Sequence, residues 1–74
     1  MINPTHAQAP RDLGGLLIYL TPGRKYKILS RTLNDRGGIW VFVIRDDDGE
    51  DLMCLAKNCA HILGRNWVFL NENA

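Results

Sequence analysis

The chain has 74 residues, of which 46% are hydrophobic and 23% charged, with a formal net charge of +1 at pH 7. This length provides one small hydrophobic core, which excludes a second domain and favours association with a partner or a second copy. This nearly neutral net charge excludes a strongly basic or strongly acidic protein. However, residues 1–45 carry seven basic and two acidic side chains, and residues 46–74 carry two basic and six acidic.

The start of the chain and its cysteine content predict where the protein is found. Residues 1–11 lack the charged start and apolar stretch of a signal peptide, and no apolar run approaches the length of a membrane span. Two cysteines do not make a disulfide framework, and such usage is typical of a reducing cytosol. We therefore expect a soluble cytoplasmic protein that does not bind membranes.

The first part of the chain gives weak structural signals. Residues 1–10 contain two prolines and no periodic pattern, which predicts a disordered or loosely attached arm. A single β-rich domain is expected over residues 11–71, and a frayed tail over residues 72–74. In the segment 11–20, Gly14-Gly15 disfavours a helix, so Leu16–Leu20 is either a buried strand or one helical turn, with the strand favoured.

A turn and a strand are expected next. In Thr21-Pro22-Gly23, proline fixes φ and glycine follows where positive φ is needed. The segment Lys25–Thr32 then predicts a strand with two faces, because side chains alternate along a strand. The inward face contains Tyr26, Ile28 and Ser30, and a mostly basic outer stripe contains Lys25, Lys27, Leu29 and Arg31. Residues 34–38 are expected to form a loop.

The stretch Ile39–Ala56 predicts a central β-hairpin. Asp48-Gly49 favours a two-residue type I′ turn, which would place Phe42 opposite Leu55. The alternative is a three-residue loop with a bulge at Gly49, which shifts this register by one. Both faces of the first hairpin strand are apolar, so we expect it to be covered on both sides.

A helical turn and a closing strand complete the chain. Asn58 is suited to cap a short helix, and Gly64 is suited to end it in the left-handed conformation. The turn between them is short enough to be a 3₁₀ helix. The last strand is expected over Trp67–Leu70.

This order of elements resembles small SH3-like barrels of bacterial and phage-encoded proteins. The likeness is carried by Pro22–Leu29, by the turn Asp47–Glu50, and by the helical turn before Trp67-Val68-Phe69. It implies an all-β fold with one short helical turn, a barrel of about five strands, and a single barrel domain over residues 11–71. The likeness does not imply a particular ligand.

Metal binding and catalysis are both disfavoured. Cys54, Cys59 and His61 are close in sequence, but structural zinc needs four ligands, so His6 or a carboxylate would have to complete the set. Cys59 and His61 would point in different directions on a helical turn, which disfavours a catalytic pair. The acidic run 46–51 is expected to be a solvated turn. We predict no enzymatic activity, no metal and no cofactor.

Two binding hypotheses remain. The first is a protein-interaction or adaptor module, with an unidentified protein or a second copy as partner, because tryptophans in so small a chain are either core anchors or interface residues. The second is a nucleic-acid-binding domain that uses the basic strand Arg24–Arg31. The candidate residues are Trp40 and Trp67 for the first hypothesis, and Arg24, Lys25, Lys27, Arg31, Arg36 and Arg65 for the second.

Overall fold

The computed structural model describes residues 4–13, 19–34 and 38–72, and within these ranges the chain is all-β. The strands are β1 (His6–Gln8), β2 (Lys25–Leu33), β3 (Ile39–Arg45), β4 (Asp51–Leu55) and β5 (Val68–Leu70), with a 3₁₀ turn at Ala60–Ile62. They form one antiparallel sheet in the order β4-β3-β2-β1-β5. The predicted all-β class with about five strands is confirmed. The outer strands β4 and β5 do not pair within the described ranges, so a closed SH3-like barrel is not confirmed.

Strand β1 lies inside the sheet, between β2 and β5. Its central residue, Ala7, pairs with Tyr26 on one side and Phe69 on the other, and it is fully buried. The predicted loose arm is therefore wrong for residues 4–10. Three residues are too few to show a period in the sequence, and the strand is stabilised by neighbours far along the chain. Of the predicted strand Leu16–Leu20, residues 16–18 lie outside the described residues, and residues 19 and 20 are not in a strand.

Strand β2 confirms the predicted strand but not its single basic face. In the ladder with β3, β2 advances two residues between Ile28 and Ser30 while β3 advances one, which is a β-bulge at Leu29. After this bulge, Arg31 pairs with the core residue Phe42. Paired residues share a face, so Arg31 lies on the face opposite to that of the two lysines of β2. The predicted stripe is wrong because one extra residue reverses the alternation.

The β3–β4 hairpin has the three-residue loop. Asp46 N–H donates to Glu50 O at 2.9 Å, and Arg45 pairs with Asp51. The three residues between Asp46 and Glu50 form the loop, and Gly49 has a φ of 82°, which glycine adopts without steric cost. The predicted two-residue turn is wrong, and its register is off by one residue, since Phe42 pairs with Cys54 and not with Leu55. The alternative, a three-residue loop with a bulge at Gly49, is confirmed.

The two faces of β3 differ in burial. Phe42 and Ile44 are fully buried, whereas Val41 and Val43 on the opposite face are half-buried. The prediction that this strand is covered on both sides is therefore wrong. A second register shift lies at Trp40. Thr32 of β2 pairs with Val41 and the next residue, Leu33, pairs with Ile39, so Trp40 between them has no partner on β2. This bulge rotates Trp40 away from the core.

The helical turn is the predicted 3₁₀ helix, with different ends. Cys59 is its N-cap residue and makes no side-chain capping bond, while Asn58 has a positive φ of 53°. Asn58 is therefore not the cap. At the other end both Leu63 and Gly64 are left-handed, which agrees with the predicted termination. The predicted last strand is confirmed as β5.

The core is organised around aromatic side chains. Trp67 meets Phe42 edge-on with ring centroids 5.5 Å apart and meets Tyr26 at 6.2 Å. Phe42 also meets Phe69 at 5.2 Å. Such edge-to-face pairs add about 0.5–1.5 kcal/mol each beyond their buried area. The remaining buried residues are Ala7, Ala9, Leu13, Leu20, Ile28, Ile44, Cys54, Ala56, Cys59 and Ile62.

Candidate functional site

The two tryptophans are in opposite environments. Trp67 precedes β5 and is 5% exposed, whereas Trp40 sits at the bulge in β3 and is 61% exposed. Trp67 is a core anchor through its aromatic contacts. Trp40 presents a large, rigid ring to solvent, and such rings are the usual centres of protein interfaces. Of the two predicted binding residues, the structure leaves only Trp40 available to a partner.

Trp40 lines two shallow grooves. One, of about 300 Å³, is lined by Thr32, Leu33, Asn34 and Trp40. The other, of about 330 Å³, is lined by Asn34, Ile39, Trp40, Leu55, Ala56, Lys57 and Asn58. We call Trp40 with these two grooves the Trp40 ridge. Its lining combines exposed aliphatic side chains with a few polar groups, which is the usual composition of a recognition surface.

Several predicted cationic residues are already paired. Arg24 Nη1 donates to Asp47 Oδ1 at 2.9 Å, and Lys25 Nζ donates to Glu72 Oε1. The hydrogen bond from Lys25 lowers the pKa of Glu72 from its ordinary value. These pairs attach β2 to the hairpin loop and to the end of the chain. They also reduce the positive charge that the predicted strip presents.

Arg65 is paired as well. Its Nη2 donates to both carboxylate oxygens of Asp12, at 3.0 and 3.1 Å. The hydrogen bond from Arg65 lowers the pKa of Asp12 from its ordinary value. Arg65 therefore links the chain after the 3₁₀ turn to residues 11–13, and the structure does not place it in a strip with the β2 cations.

Lys27 and Arg31 remain without a carboxylate partner in the described part of the chain, and they lie on opposite faces of β2. Lys27 pairs with His6 of β1. On the other side, Arg45 of β3 lies next to Lys27, because its neighbour Ile44 pairs with Ile28. Arg45 is itself ion-paired with Asp51 at 3.5 Å. Arg36 lies outside the described residues. The predicted six-residue basic surface thus reduces to a short row centred on Lys27.

A third groove lies beside this row. It has a volume of about 410 Å³ and lies between β2 and the hairpin loop. Its lining residues are Arg24, Lys25, Tyr26, Lys27, Leu29, Arg45, Asp46, Asp47 and Gly49. The cations on one wall and the aspartates on the other partly compensate each other, so this groove is less positive than the sequence of β2 suggests.

The two cysteines form a buried pair of free thiols. The thiol of Cys54 donates to Leu52 O at 3.8 Å. The interaction between the two neighbouring thiols raises the pKa of Cys54 and lowers the pKa of Cys59. The indole N–H of Trp67 is buried and completes no hydrogen bond within the described residues. Its partial positive charge is nevertheless close enough to the Cys59 thiol to lower the pKa of Cys59 further. Because both sulfurs are buried in the core, they are packed side chains rather than an accessible nucleophile.

No group of three His, Cys, Asp or Glu side chains suited to a metal ion occurs among the described residues. His61 Nδ1 instead lies 2.9 Å from the hydroxyl of Tyr19, with the two rings edge-on. His61 therefore ties the 3₁₀ turn to the segment before β2.

The acidic run is a structural element as well as a solvated turn. Asp46 Oδ1 accepts the backbone N–H groups of Asp48 and Glu50, both at 2.9 Å. Asp47 accepts from Thr21 Oγ1 at 2.6 Å and from Tyr26 OH at 2.9 Å. From the sequence alone, residues 46–51 were recognisable only as a run of acidic residues. Their separate roles depend on the three-residue loop and on a partner segment more than twenty positions earlier.

Sequence reasoning missed one further surface. Met53 is 67% exposed and Leu55 is 46% exposed, and both lie on the outer face of β4. The available signal was the alternation Leu52-Met53-Cys54-Leu55, which puts two apolar residues on each face. The same alternation is expected of a strand that is covered on both faces, so it did not reveal which face is exposed.

No family model matches the chain, and neither a curated protein nor a solved structure matches it. In the part of the chain that the structure describes, no helix is both long and apolar enough to cross a membrane.

Proposed function

We propose that this chain is a small SH3-like, non-enzymatic binding domain that engages a protein partner on the Trp40 ridge. The observation that carries the proposal is the exposure of Trp40 in a chain whose other tryptophan is in the core. A partner whose side chains fill both grooves would bury the indole of Trp40. This burial would add a large apolar contact area, and the rigid tryptophan side chain would lose little conformational entropy.

The SH3-like part of this proposal is supported by the order of elements. The strand order β4-β3-β2-β1-β5, a long bulged β2 shared between both halves of the sheet, and a 3₁₀ turn before the last strand agree with that architecture. A cytoplasmic location is proposed with it. Two buried cysteines that form no disulfide framework agree with a reducing compartment.

The partner is expected to present an extended segment with apolar side chains. The two open grooves, of about 300 and 330 Å³, each have room for an aliphatic side chain of a partner next to the indole. Leu33 and Leu55 supply apolar walls, and Lys57 at the rim favours a partner with an acidic residue next to its apolar ones.

The test is a quantitative capture from host lysate with Trp40→Ala beside the wild-type chain. The matched control is Val68→Ala, which removes an exposed apolar side chain from β5 at the far end of the sheet. We expect Trp40→Ala to lose the captured protein, Val68→Ala to retain it, and nuclease to have no effect. Unchanged capture by Trp40→Ala would refute the Trp40 ridge as the binding site.

The row centred on Lys27 favours a second candidate function, the binding of a nucleic-acid backbone. Lys27 lies between His6 on β1 and Arg45 on β3 and has no described carboxylate partner, whereas Arg45 is ion-paired with Asp51 at 3.5 Å. An unpaired lysine on a strand can contact a phosphate group. We expect such binding to weaken steeply with added salt and to be lost in Lys27→Glu.

The matched control is Arg31→Glu, which makes the same charge change on the opposite face of β2. It is expected to leave binding to single-stranded oligonucleotides nearly unchanged. Equal loss in both variants would indicate non-specific attraction, and binding that ignores salt would exclude this function.

A further inference from the structure

Cys54 and Cys59 are free thiols that lie side by side in the core, and each is 1% exposed. Their backbones are held separately, since Cys54 pairs with Phe42 in the β3–β4 ladder and Cys59 forms an isolated bridge with Arg65. Between them, Asn58 has a positive φ of 53°, a conformation that asparagine adopts more readily than most residues. This residue reverses the chain and returns the second thiol to the first.

Hydrogen-bond donors converge on the sulfur of Cys59. The backbone N–H groups of Leu55 and His61 are directed at it. The indole N–H of Trp67, which completes no hydrogen bond within the described residues, lies close to the same sulfur. The neighbouring thiol of Cys54 lowers the pKa of Cys59, and these three donors lower it further against the opposing effect of burial. The surroundings therefore favour the thiolate, which is the nucleophilic form of cysteine.

The cover over Cys59 is a short segment with little regular structure. Residues 57 and 58 before it and residue 60 after it are exposed, and only a three-residue 3₁₀ turn follows. Segments with few buried apolar contacts open locally at a lower cost than the core of a sheet. The pair is packed at rest, but a small uncharged oxidant can reach Cys59 without unfolding of the whole domain.

We propose that hydrogen peroxide oxidises Cys59 during such openings and that Cys54 then closes a reversible disulfide with it. In the first step the Cys59 thiolate attacks one peroxide oxygen and the O–O bond breaks. Cys59 becomes a sulfenic acid, and the other oxygen leaves as hydroxide and takes up a proton from solvent. In the second step the Cys54 sulfur attacks the Cys59 sulfur, and the hydroxyl group leaves with the Cys54 proton as water. Two thiols lose two electrons, and one peroxide is reduced to two waters.

The disulfide would enclose residues 55–58, which form one wall of the second groove of the Trp40 ridge. This wall is joined to Trp40 directly, because Ala56 N–H donates to Trp40 O at 3.1 Å. Bond formation draws the two sulfurs together. Since Cys54 is fixed in the β3–β4 ladder, the movement falls on Cys59 and on this wall. The reaction itself goes beyond the proposed function, whereas its effect on a partner rests on that function.

The first experiment treats the reduced full chain with hydrogen peroxide and follows its thiols and its intact mass. We expect both thiols to be lost without a covalent link between chains, a mass lower by about 2 Da, and full recovery with dithiothreitol. Cys59→Ala should slow oxidation of the remaining thiol by about tenfold or more, because Cys54 lacks the converging donors. Cys54→Ala should leave Cys59 as a sulfenic acid that dimedone labels. Circular dichroism checks that both variants are folded.

The second experiment records ¹H–¹⁵N NMR spectra of the reduced and oxidised wild-type chain. The backbone signals of residues 55–58 and the signals of Trp40 should shift on oxidation and return on reduction. Gly49 at the tip of the hairpin is the internal control, and its signal should stay in place.

Three results of the first experiment would overturn the proposal: both thiols surviving peroxide that fully oxidises glutathione in the same solution, a disulfide between two chains, or equal oxidation rates in the two cysteine variants. Unmoved signals of residues 55–58 in the oxidised chain would refute its effect on the groove. The proposed function fails separately, if Trp40→Ala retains the captured protein while the disulfide still forms.

Discussion

Single residues in this domain combine packing with a specific polar contact. Tyr26 is the clearest case, since its ring packs edge-on against Trp67 while its hydroxyl leaves the core. The hydroxyl accepts the backbone N–H of Thr21 at 2.7 Å and donates to Asp47 at 2.9 Å. The guanidinium of Arg24 lies 5.5 Å from the ring centroid. One side chain therefore joins the core, the turn before β2 and the hairpin loop.

The hydroxyl of Tyr26 should make stability depend on alkaline pH. Burial raises its pKa above the ordinary value of 10.0, and the hydrogen bond to Asp47 raises it further, against the opposing hydrogen bond from Thr21. The folded state thus holds this proton more tightly than the unfolded state does. Its contribution to stability is complete below about pH 10 and is lost as the pH rises through the folded-state pKa.

We expect urea midpoints, measured from about pH 7 to pH 11, to fall more steeply above pH 10 in the wild type than in Tyr26→Phe. The variant should be less stable near neutral pH because it loses two hydrogen bonds. An identical alkaline slope in both proteins would contradict this assignment.

At the scale of elements, the hairpin loop and the connection between β1 and β2 hold each other. Asp47 receives hydrogen bonds from Thr21, Tyr26 and Arg24, and its backbone N–H donates to Tyr19 O at 2.9 Å. The connection has little regular structure in the residues described, so these bonds fix its end near β2. The acidic tip of the hairpin is therefore part of the packing of the domain.

Asp47→Asn tests this contact. The amide cannot maintain the ion pair with Arg24 and accepts fewer hydrogen bonds, so we expect the free energy of unfolding to fall by about 1–3 kcal/mol. Asp48→Asn is the control, because the Asp48 side chain is exposed and makes no hydrogen bond within the described residues. It should change stability by less than about 0.5 kcal/mol in urea titrations. Equal effects would show that only the net charge of the tip matters.

At the scale of the whole molecule, the sheet depends on its shortest central strand. β1 has three residues, yet it connects β2 to β5. The ends of the described chain meet beside it, since Thr5 N–H donates to Leu70 O at 2.9 Å and Glu72 N–H donates to Thr5 Oγ1 at 2.7 Å. Without β1 the strand β5 would lose its neighbour in the sheet.

Ala7→Asp should therefore disrupt the fold. It places a carboxylate where the side chain is fully buried, and a buried charge without a partner costs about 3 kcal/mol or more. His6→Asp makes the adjacent residue acidic on the opposite face, next to Lys27, and should cost less than about 1 kcal/mol. Thermal unfolding followed by circular dichroism compares the two. A stable Ala7→Asp variant would mean that residues 4–10 are the loose arm that their composition predicted.

The sequence by itself determined the elements whose signals are local. The turn at Thr21-Pro22-Gly23 is present, with Arg24 N–H bonded to Thr21 O at 3.1 Å and Gly23 at a φ of 80°. Strands β2 to β5 and the 3₁₀ turn lie where alternation and glycine positions predict them. These signals suffice because a turn or an apolar run is specified by adjacent residues.

Only the tertiary structure decided the membership of β1 in the sheet, the bulges at Leu29 and Trp40, and the three-residue loop. Each of these depends on a partner strand, and a shift of one residue costs little locally but reverses which side chains face the core. That reversal separates Arg31 from Lys27 and exposes Trp40 while Trp67 is buried. The candidate site therefore follows from long-range register, which the composition of a single strand does not contain.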